Sequence, residues 1–208
     1  MRIPAAALAA ATLALGLPAT ASADGPYSLS YSAFGATVPP GTTFTASSPS
    51  IQIKSTSGAL ALTCSASMAG VTVGGASATL KATSGSFTGC VGPATPAPVS
   101  AGWTGDTPLT IAPYAVNPIG GPYDSAISGV SIAMACGATY NGTLTGPIQW
   151  VNDAGGSRIV LSNAGTLVKD SSTACPTLPM NAVVNGSYRL ATVNGFAVSA
   201  TNNLWFKP

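Results

Sequence analysis

The amino-acid sequence predicts an all-β protein, an antiparallel two-sheet sandwich with a jelly-roll-like arrangement of strands. In many short segments apolar residues occupy alternate positions, which is typical of strands with one buried and one solvated face. The 24 glycines and 17 prolines are frequent between these segments, where they favour turns. After residue 23 no stretch carries apolar residues at helical spacing. Many short strands separated by turns are typical of a sandwich or a barrel.

The first 23 residues have the features of a signal peptide. Arg2 supplies the positive charge at the start, 5–17 form the apolar core, and Ala21-Ser22-Ala23 is a typical cleavage site. The apolar core is shorter than the roughly 20 residues that a transmembrane helix needs. We therefore expect residues 24–208 to form a single β-sandwich domain that is secreted or associated with the cell surface, without a transmembrane span.

The segments with period-2 alternation lie at 27–34, 42–46, 51–54, 59–67, 71–73, 76–82, 109–112, 130–140, 143–150, 158–161, 188–193 and 196–200. The clearest is 130–140, in which every second residue from Val130 to Tyr140 is apolar. Asn141-Gly142 follows it and predicts a hairpin turn, because both residues tolerate a positive φ. Ala69-Gly70 is the weaker counterpart of this turn in the first half of the chain.

A cysteine followed at fixed spacing by two glycines occurs twice, as C-x5-G-x3-G beginning at Cys64 and at Cys136. A further cysteine, Cys90 or Cys175, closes each of these pseudo-repeat units, which span about 51–91 and 127–176. Four cysteines in an exported chain predict two disulfides. Of the three possible pairings, the repeat favours Cys64–Cys90 and Cys136–Cys175, one in each unit.

The segment 92–124 between the two units departs from the alternating pattern. It begins with a proline-rich stretch at 93–98 that favours an extended polyproline conformation. We interpret the whole segment as a long, ordered crossover loop within one domain. Its aromatic residues, Trp103, Tyr114 and Tyr123, are candidate binding residues, because rings on loops offer a large contact area at a small loss of entropy.

The composition excludes most catalytic chemistry. The chain has no histidine and no glutamate, which removes Ser-His-Asp and Cys-His nucleophiles and histidine metal sites. Of the five aspartates, Asp106, Asp153 and Asp170 lie in segments that favour turns, and an Asp–Asp pair among these and Asp124 has no recognisable catalytic context. We therefore predict no catalytic residue, no metal site and no cofactor.

The charge pattern also limits the partners. Removal of Arg2 with the signal peptide leaves six basic and five acidic residues, a net charge of +1. A chain so nearly neutral has no basic surface for binding nucleic acid. Only 6% of residues are charged, against about 25% in an average soluble domain. A surface with so little charge favours self-association. The partners that remain are a component of the cell envelope, a glycan or an apolar ligand.

One family resemblance is carried by the cysteine-anchored strand, the glycine-rich return, the Ser-Phe-Thr-Gly-Cys closure at 86–90 and the downstream Trp103. This layout resembles small exported β-rich bacterial proteins, many of unknown function, that include the protein activator of alkane oxidation. The Ala-rich signal peptide is most similar to those of the actinobacterial members. The resemblance implies an extracellular, non-catalytic protein concerned with the cell surface or with apolar substrates.

We therefore expect a secreted, non-enzymatic cell-surface or interaction protein that works at apolar or envelope interfaces. One alternative is a carbohydrate-binding module that uses Trp103, Tyr114 and Tyr123. Another is an envelope β-barrel pore, which the alternating strands permit. The disulfides and the alanine-dominated apolar faces, without aromatic girdles, disfavour the pore.

Overall fold

The computed structural model describes residues 28–73, 78–93, 95–103, 109–116, 123–144, 148–170 and 175–207, with the backbone alone for 95–103, 109–116, 123–124 and 126. Within these ranges the chain forms thirteen strands and no helix, and so none that could cross a membrane. In chain order the strands are β1 (Ser28–Ser30), β2 (Thr43–Ser55), β3 (Leu60–Thr72), β4 (Leu80–Gly92), β5 (Thr95–Trp103), β6 (Leu109–Val116), β7 (Tyr123–Met134), β8 (Thr139–Leu144), β9 (Ile148–Val151), β10 (Arg158–Lys169), β11 (Asn181–Val193), β12 (Phe196–Ala197) and β13 (Trp205–Lys207).

Eleven of these strands form one antiparallel sheet whose order follows the chain. β2, β3 and β4 are neighbours in turn, and β11 lies on the other side of β2. β5 and β6 both pair with β4 and with β7, so they occupy successive halves of one position in the sheet. β8 and β9 do the same between β7 and β10. Because β10 also pairs with β11, the sheet curls until it closes on itself.

The predicted all-β, antiparallel class is confirmed, and the two layers are opposite walls of this one curled sheet. Along β2, Ile51 and Ile53 are buried, whereas Gln52 and Lys54 between and beyond them reach the surface. The largest wholly buried side chains are those of Phe44, Ile51, Ile53, Leu62, Leu80, Tyr140, Ile148, Trp150, Leu167, Leu204 and Phe206. The alternation in the sequence thus corresponds to inward and outward positions of the curled sheet.

A second sheet of two strands joins the beginning and the end of the described chain. β1 pairs antiparallel with β13, from Ser28 opposite Lys207 to Ser30 opposite Trp205. It packs against the curled sheet through Phe206, whose ring meets that of Trp150 edge to face, with 4.6 Å between the ring centroids. This contact joins the small sheet to the same apolar core.

The region around Cys136 differs from the single strand that we predicted over 130–140. β7 ends at Met134 and β8 begins at Thr139, with a tight turn between them. In this turn Gly137 has a φ of 90°, which favours glycine, and its N–H donates to the carbonyl oxygen of Met134 at 2.9 Å. The alternating pattern runs through the turn without interruption, so periodicity alone did not locate it.

Two glycines that we expected at hairpin turns lie inside strands instead. Asn141 and Gly142 belong to β8, and Gly70 belongs to β3. A Cβ at Gly142 would lie 2.6 Å from the carbonyl oxygen of Thr166 on β10, and one at Gly70 would lie still closer to that of Lys81 on β4. Both positions require glycine because a neighbouring backbone approaches closely. In the sequence, a glycine needed for this reason cannot be distinguished from a glycine at a turn.

The described part of the segment 92–124 forms β5 and β6, where we interpreted the segment as a loop; only the alternating stretch at 109–112, which lies in β6, was predicted as a strand. Strand prolines are tolerated where the ladder is irregular, because proline has no N–H to donate. The register between β4 and β5 shifts twice between Phe87 and Gly92, and that between β6 and β7 shifts just after Pro113. These irregularities make room for the prolines. The segment therefore closes the curled sheet between β4 and β7.

Both predicted disulfides, Cys64–Cys90 and Cys136–Cys175, are present. The first joins β3 to β4, and both of its cysteines are buried in the core. The second joins the turn after β7 to the chain that follows β10; Cys136 is exposed and Cys175 is buried. The first cysteine of each unit thus lies in a different environment, mid-strand in one unit and at a turn in the other.

Candidate functional site

Asp153 lies between two arginines on the outer surface. Arg158 on β10 and Arg189 on β11 are direct cross-strand partners, an arrangement in which like charges destabilise a sheet. Oδ2 of Asp153 is 3.6 Å from Nη1 of Arg158 and 3.1 Å from Nη2 of Arg189. Its Oδ1 accepts a hydrogen bond from the N–H of Gly155 at 2.9 Å. All three charged side chains are partly exposed, so water screens them and each pair contributes at most about 1 kcal/mol.

Of the other aspartates, only Asp170 has a described side chain. Asp170 accepts a hydrogen bond from the N–H of Thr139 at 3.1 Å. Asp106 lies outside the described residues, and Asp124 is described by its backbone alone. Among the residues that the structure describes, no group of three His, Cys, Asp or Glu side chains could hold a metal ion.

Lys169 is a charged side chain that is buried, with 5% of its surface exposed. A buried lysine is a common candidate for a functional site. Here its Nζ donates to the carbonyl oxygens of Cys175 and Leu178, at 2.9 and 3.0 Å. Lys169 therefore holds the disulfide-bonded loop against the end of β10, which is a structural role.

Burial raises the pKa of the phenol hydroxyl in two tyrosines. Burial raises the pKa of Tyr140 to about 12, and it also raises the pKa of Tyr188. The hydroxyl of Tyr140 donates to the carbonyl oxygen of Pro179. A phenol that acts as a base near neutral pH needs a lowered pKa, so neither tyrosine is suited to that role.

The three predicted binding aromatics lie on strands: Trp103 on β5, Tyr114 on β6 and Tyr123 on β7. Their side chains lie outside the described residues, so their binding role stays a prediction. The register pairs Tyr123 with Val116, two residues beyond Tyr114, which brings these two backbones together. Trp103 pairs instead with Ile132, nine residues further along β7, or about 30 Å at the usual rise of a strand.

The interior of the curled sheet holds only a small cavity among its described side chains. Its volume is about 30 Å³, and its lining includes Met68, Phe87, Ile132 and Tyr188. This space is on the scale of one water molecule, far below the several hundred Å³ of a typical ligand pocket. The described side chains around this cavity therefore leave no room for a ligand.

One part of the outer surface is a shallow groove of about 420 Å³ across β2, β3 and β4. Three of its hydroxyl groups have protein partners: Ser67 and Ser86 bond each other at 2.9 Å, and Thr45 bonds the neighbouring Thr192 at 2.7 Å. Neither a charged nor an aromatic side chain lines it. The groove therefore has shape but little means of recognising a ligand.

A second surface depression, which we name the end cleft, combines aromatic and polar groups. It lies where β11 turns into β12 and has a volume of about 510 Å³. Three segments line it, the loop after β1, the β11–β12 hairpin and the loop before β13, with the residues Tyr31, Ser32, Gly35, Ala36, Asn194, Phe196, Thr201 and Asn202. Phe34, in the first of these loops, is 100% exposed, and Phe196 is 73% exposed. These are the two most exposed large apolar side chains in the described chain.

The sequence interpretation did not single out the end cleft. Tyr31 and Phe196 fell within predicted strand segments, 27–34 and 196–200, and were treated as strand residues. The available signal was the Asn194-Gly195 dipeptide directly before Phe196. A two-residue Asn-Gly turn of this kind projects its flanking residues at the end of a hairpin.

In comparisons with known proteins, no family model, no curated protein and no solved structure matches the chain. The end cleft is therefore identified as a candidate site by its geometry and chemistry alone.

Proposed function

We propose that the protein is a secreted, non-catalytic cell-surface or interaction protein that binds through its outer surface. The observation that carries this proposal is the contrast between a filled apolar interior and an exterior on which two phenylalanines are exposed beside amides and hydroxyls. Two disulfides are typical of proteins in oxidising environments outside the cytoplasm. The signal-peptide features of the first 23 residues support the same location.

The resemblance to the activators of alkane oxidation supports contact with envelope or apolar material. Phe34 and Phe196 supply exposed apolar area of the kind that marks interaction sites. A carbohydrate-binding module that uses Trp103, Tyr114 and Tyr123 together is less well supported, because the backbone of Trp103 lies far from the other two. A pore would need a polar, water-filled interior, whereas the described inward-facing side chains are apolar.

The test is to express the full chain in a secreting bacterial host and to purify the mature protein from the medium. Pelleting with isolated cell envelope, adsorption to hexadecane droplets and analytical ultracentrifugation then measure its three possible associations. We expect saturable association in at least one of the three assays. A folded, disulfide-bonded protein of similar size and net charge serves as the control and should show no such association.

Two outcomes would contradict the proposal. One is a folded protein that associates with none of the three targets. The other is turnover in a panel of hydrolase substrates that an Asp153→Asn substitution abolishes, which would make the protein an enzyme.

A further inference from the structure

We propose that the end cleft binds a neutral saccharide. This inference rests on the proposed function, because it names the class of ligand that the outer surface takes at one place. Three features carry it: aromatic rings in and beside the cleft, amide oxygens that accept no hydrogen bond among the described residues, and a lining without charge.

The first feature is the pair of exposed rings. Single exposed apolar residues are ordinary on protein surfaces, but here aromatic rings lie in and beside a polar depression. Phe196 lines the cleft, and Phe34 lies two residues after Ser32 and one before Gly35, both of which also line it. Tyr31, which packs against the core, adds a third ring to the lining. Aromatic faces offer a rigid, weakly polar surface onto which the C–H face of a sugar ring can stack.

The second feature is a set of free hydrogen-bonding groups. Nδ2 of Asn194 donates to the hydroxyl oxygen of Tyr31 at 3.2 Å, so the hydroxyl hydrogen of Tyr31 remains free to donate. Among the described residues, the side-chain carbonyl oxygens of Asn194 and Asn202 accept no hydrogen bond. The hydroxyl group of Ser32 also lines the cleft, whereas that of Thr201 is already hydrogen-bonded to Oγ of Ser199 at 3.4 Å. Sugar hydroxyls both donate and accept, so they can satisfy this mixture of groups.

The third feature is electrical neutrality. The lining contains no carboxylate, lysine or arginine. The nearest cation that the contacts identify is Lys207, whose Nζ donates to the carbonyl oxygen of Gly35 at 3.4 Å. An anionic ligand would therefore find a single cation, Lys207, at the margin of the cleft and none in its lining. A hydrocarbon would bury the amides and hydroxyls without partners, which is unfavourable. A neutral polyol with an apolar face satisfies both kinds of surface.

The cleft is also held in shape by the protein itself. Nδ2 of Asn202 lies within 3.2–3.3 Å of the carbonyl oxygens of Val193, Phe196 and Ala197. These contacts hold the β11–β12 hairpin to the loop before β13. The loop after β1 is closed by the N–H of Tyr31, which donates to the carbonyl oxygen of Ala36 at 3.1 Å. A site that is ordered before binding loses less entropy when the ligand arrives.

The experiment measures binding of the purified mature protein to an array of neutral glycans that contains glucan, mannan, arabinogalactan and chitin fragments. Isothermal titration calorimetry with the hexasaccharide that gives the strongest signal then yields a dissociation constant. We expect Phe34→Ala and Phe196→Ala each to weaken binding about tenfold or more, because each removes a stacking ring. Phe196→Trp should retain binding and Phe196→Leu should not, which separates stacking from general apolarity.

Met180→Ala is the matched control. Met180 is 53% exposed and precedes β11, at the opposite end of that strand from Phe196. Its substitution should leave glycan binding unchanged. All of these side chains are exposed, so the variants should fold, and circular dichroism and thermal unfolding verify this for each.

Three outcomes would overturn the inference. If the protein binds envelope but no neutral glycan on the array, the end cleft is not a saccharide site while the proposed function stands. If glycans bind equally well to the wild type and to both alanine variants, the saccharide site lies elsewhere. If Phe34→Ala and Phe196→Ala abolish adsorption to hexadecane without any glycan binding, the cleft takes an apolar ligand. Failure of every association, with envelope, hexadecane and glycans alike, would instead remove the proposed function itself.

Discussion

At the scale of single residues, asparagine side chains replace backbone pairing where β13 meets the curled sheet. Nδ2 of Asn152 donates to the carbonyl oxygen of Phe206 at 2.8 Å, and its Oδ1 accepts from the N–H of Phe206 and from Nε1 of Trp150, both at 3.1 Å. Asn203 is wholly buried, and its Oδ1 accepts from the N–H of Ser157 at 3.1 Å. These amides satisfy polar groups that would otherwise be buried without partners.

We expect Asn152→Ala to lower the free energy of unfolding by about 2–4 kcal/mol, because it removes three hydrogen bonds and leaves Nε1 of Trp150 buried without a partner. Urea denaturation followed by tryptophan fluorescence measures the change. Asn141→Ala is the control, since that side chain is exposed and accepts one hydrogen bond, from Ser131. Equal losses in the two variants would contradict this account of Asn152.

Gly142→Ala should destabilise the fold by about 1–3 kcal/mol, because the added methyl group would meet the backbone of β10 at 2.6 Å and force the strands apart. Gly155→Ala is the matched control: its Cβ would meet no atom closer than 3.4 Å, and the nearest is the end of the Arg189 side chain. Thermal unfolding of both variants tests the difference. A Gly142→Ala protein as stable as the control would show that β8 and β10 can separate freely.

At the scale of elements, the dipeptide Asn-Gly lies in a turn at one place and inside a strand at another. Asn194-Gly195 forms a turn, with φ of 51° and 78°, whereas Asn141-Gly142 continues a strand. β8 has partners on both sides, β7 and β10, so its backbone is held extended through the dipeptide. β11 instead reaches the margin of the sheet at Val193, and β12 pairs only with β11. The neighbouring strands therefore decide the conformation.

The two disulfides should differ in their resistance to reduction. We expect dithiothreitol under native conditions to reduce Cys136–Cys175 first, because Cys136 is exposed, whereas Cys64 and Cys90 are 1% and 0% exposed. Attack by a thiolate requires access to a sulfur atom. Alkylation followed by peptide mass mapping would then find label on Cys136 and Cys175 alone at early times. Simultaneous labelling of all four cysteines would contradict this order.

Loss of the exposed disulfide should weaken the fold without changing its class. It closes a loop of 39 residues, for which chain entropy predicts a contribution of about 4 kcal/mol. We expect the variant with both Cys136→Ser and Cys175→Ser to unfold at a lower urea concentration while its far-ultraviolet circular dichroism stays that of a β protein. A variant with wild-type stability would show that Lys169 alone holds this loop.

At the scale of the whole molecule, the protein has few side chains that change their charge near neutral pH. The chain has no histidine, so no side chain has an ordinary pKa between pH 5 and 8. The described core is apolar apart from a few buried polar groups and Lys169. Stability should therefore depend on packing and hydrogen bonds and vary little near neutral pH.

Stability should fall at alkaline pH. Burial raises the pKa of Tyr140 to about 12 and also raises that of Tyr188, while unfolded tyrosines ionise near pH 10. The contribution of these phenols is therefore complete below pH 10 and is lost as pH rises toward 12. We expect the free energy of unfolding to be nearly constant from pH 5 to 9 and about 2–4 kcal/mol lower at pH 11.5. Tyr140→Phe should reduce this alkaline loss, and an equal loss in that variant would contradict the assignment.

The candidate site was less predictable than the fold. The end cleft joins Tyr31 to Asn194, which are 163 residues apart in the sequence. Each of its segments looks like an ordinary strand or turn when it is considered alone. The trio of Trp103, Tyr114 and Tyr123 was chosen because its members share one segment, and proximity along the chain does not ensure proximity in a sheet, as the register of Trp103 and Tyr123 illustrates.

The sequence by itself determined the all-β class and the pairing of the four cysteines, because alternation and cysteine spacing are local properties of the chain. Only the tertiary structure decided which glycines lie at turns, that β5 and β6 close the sheet, and that Tyr31 meets Asn194. These features depend on which backbones approach one another across the sheet. The energies of such contacts arise between residues distant in the sequence, so no local pattern contains them.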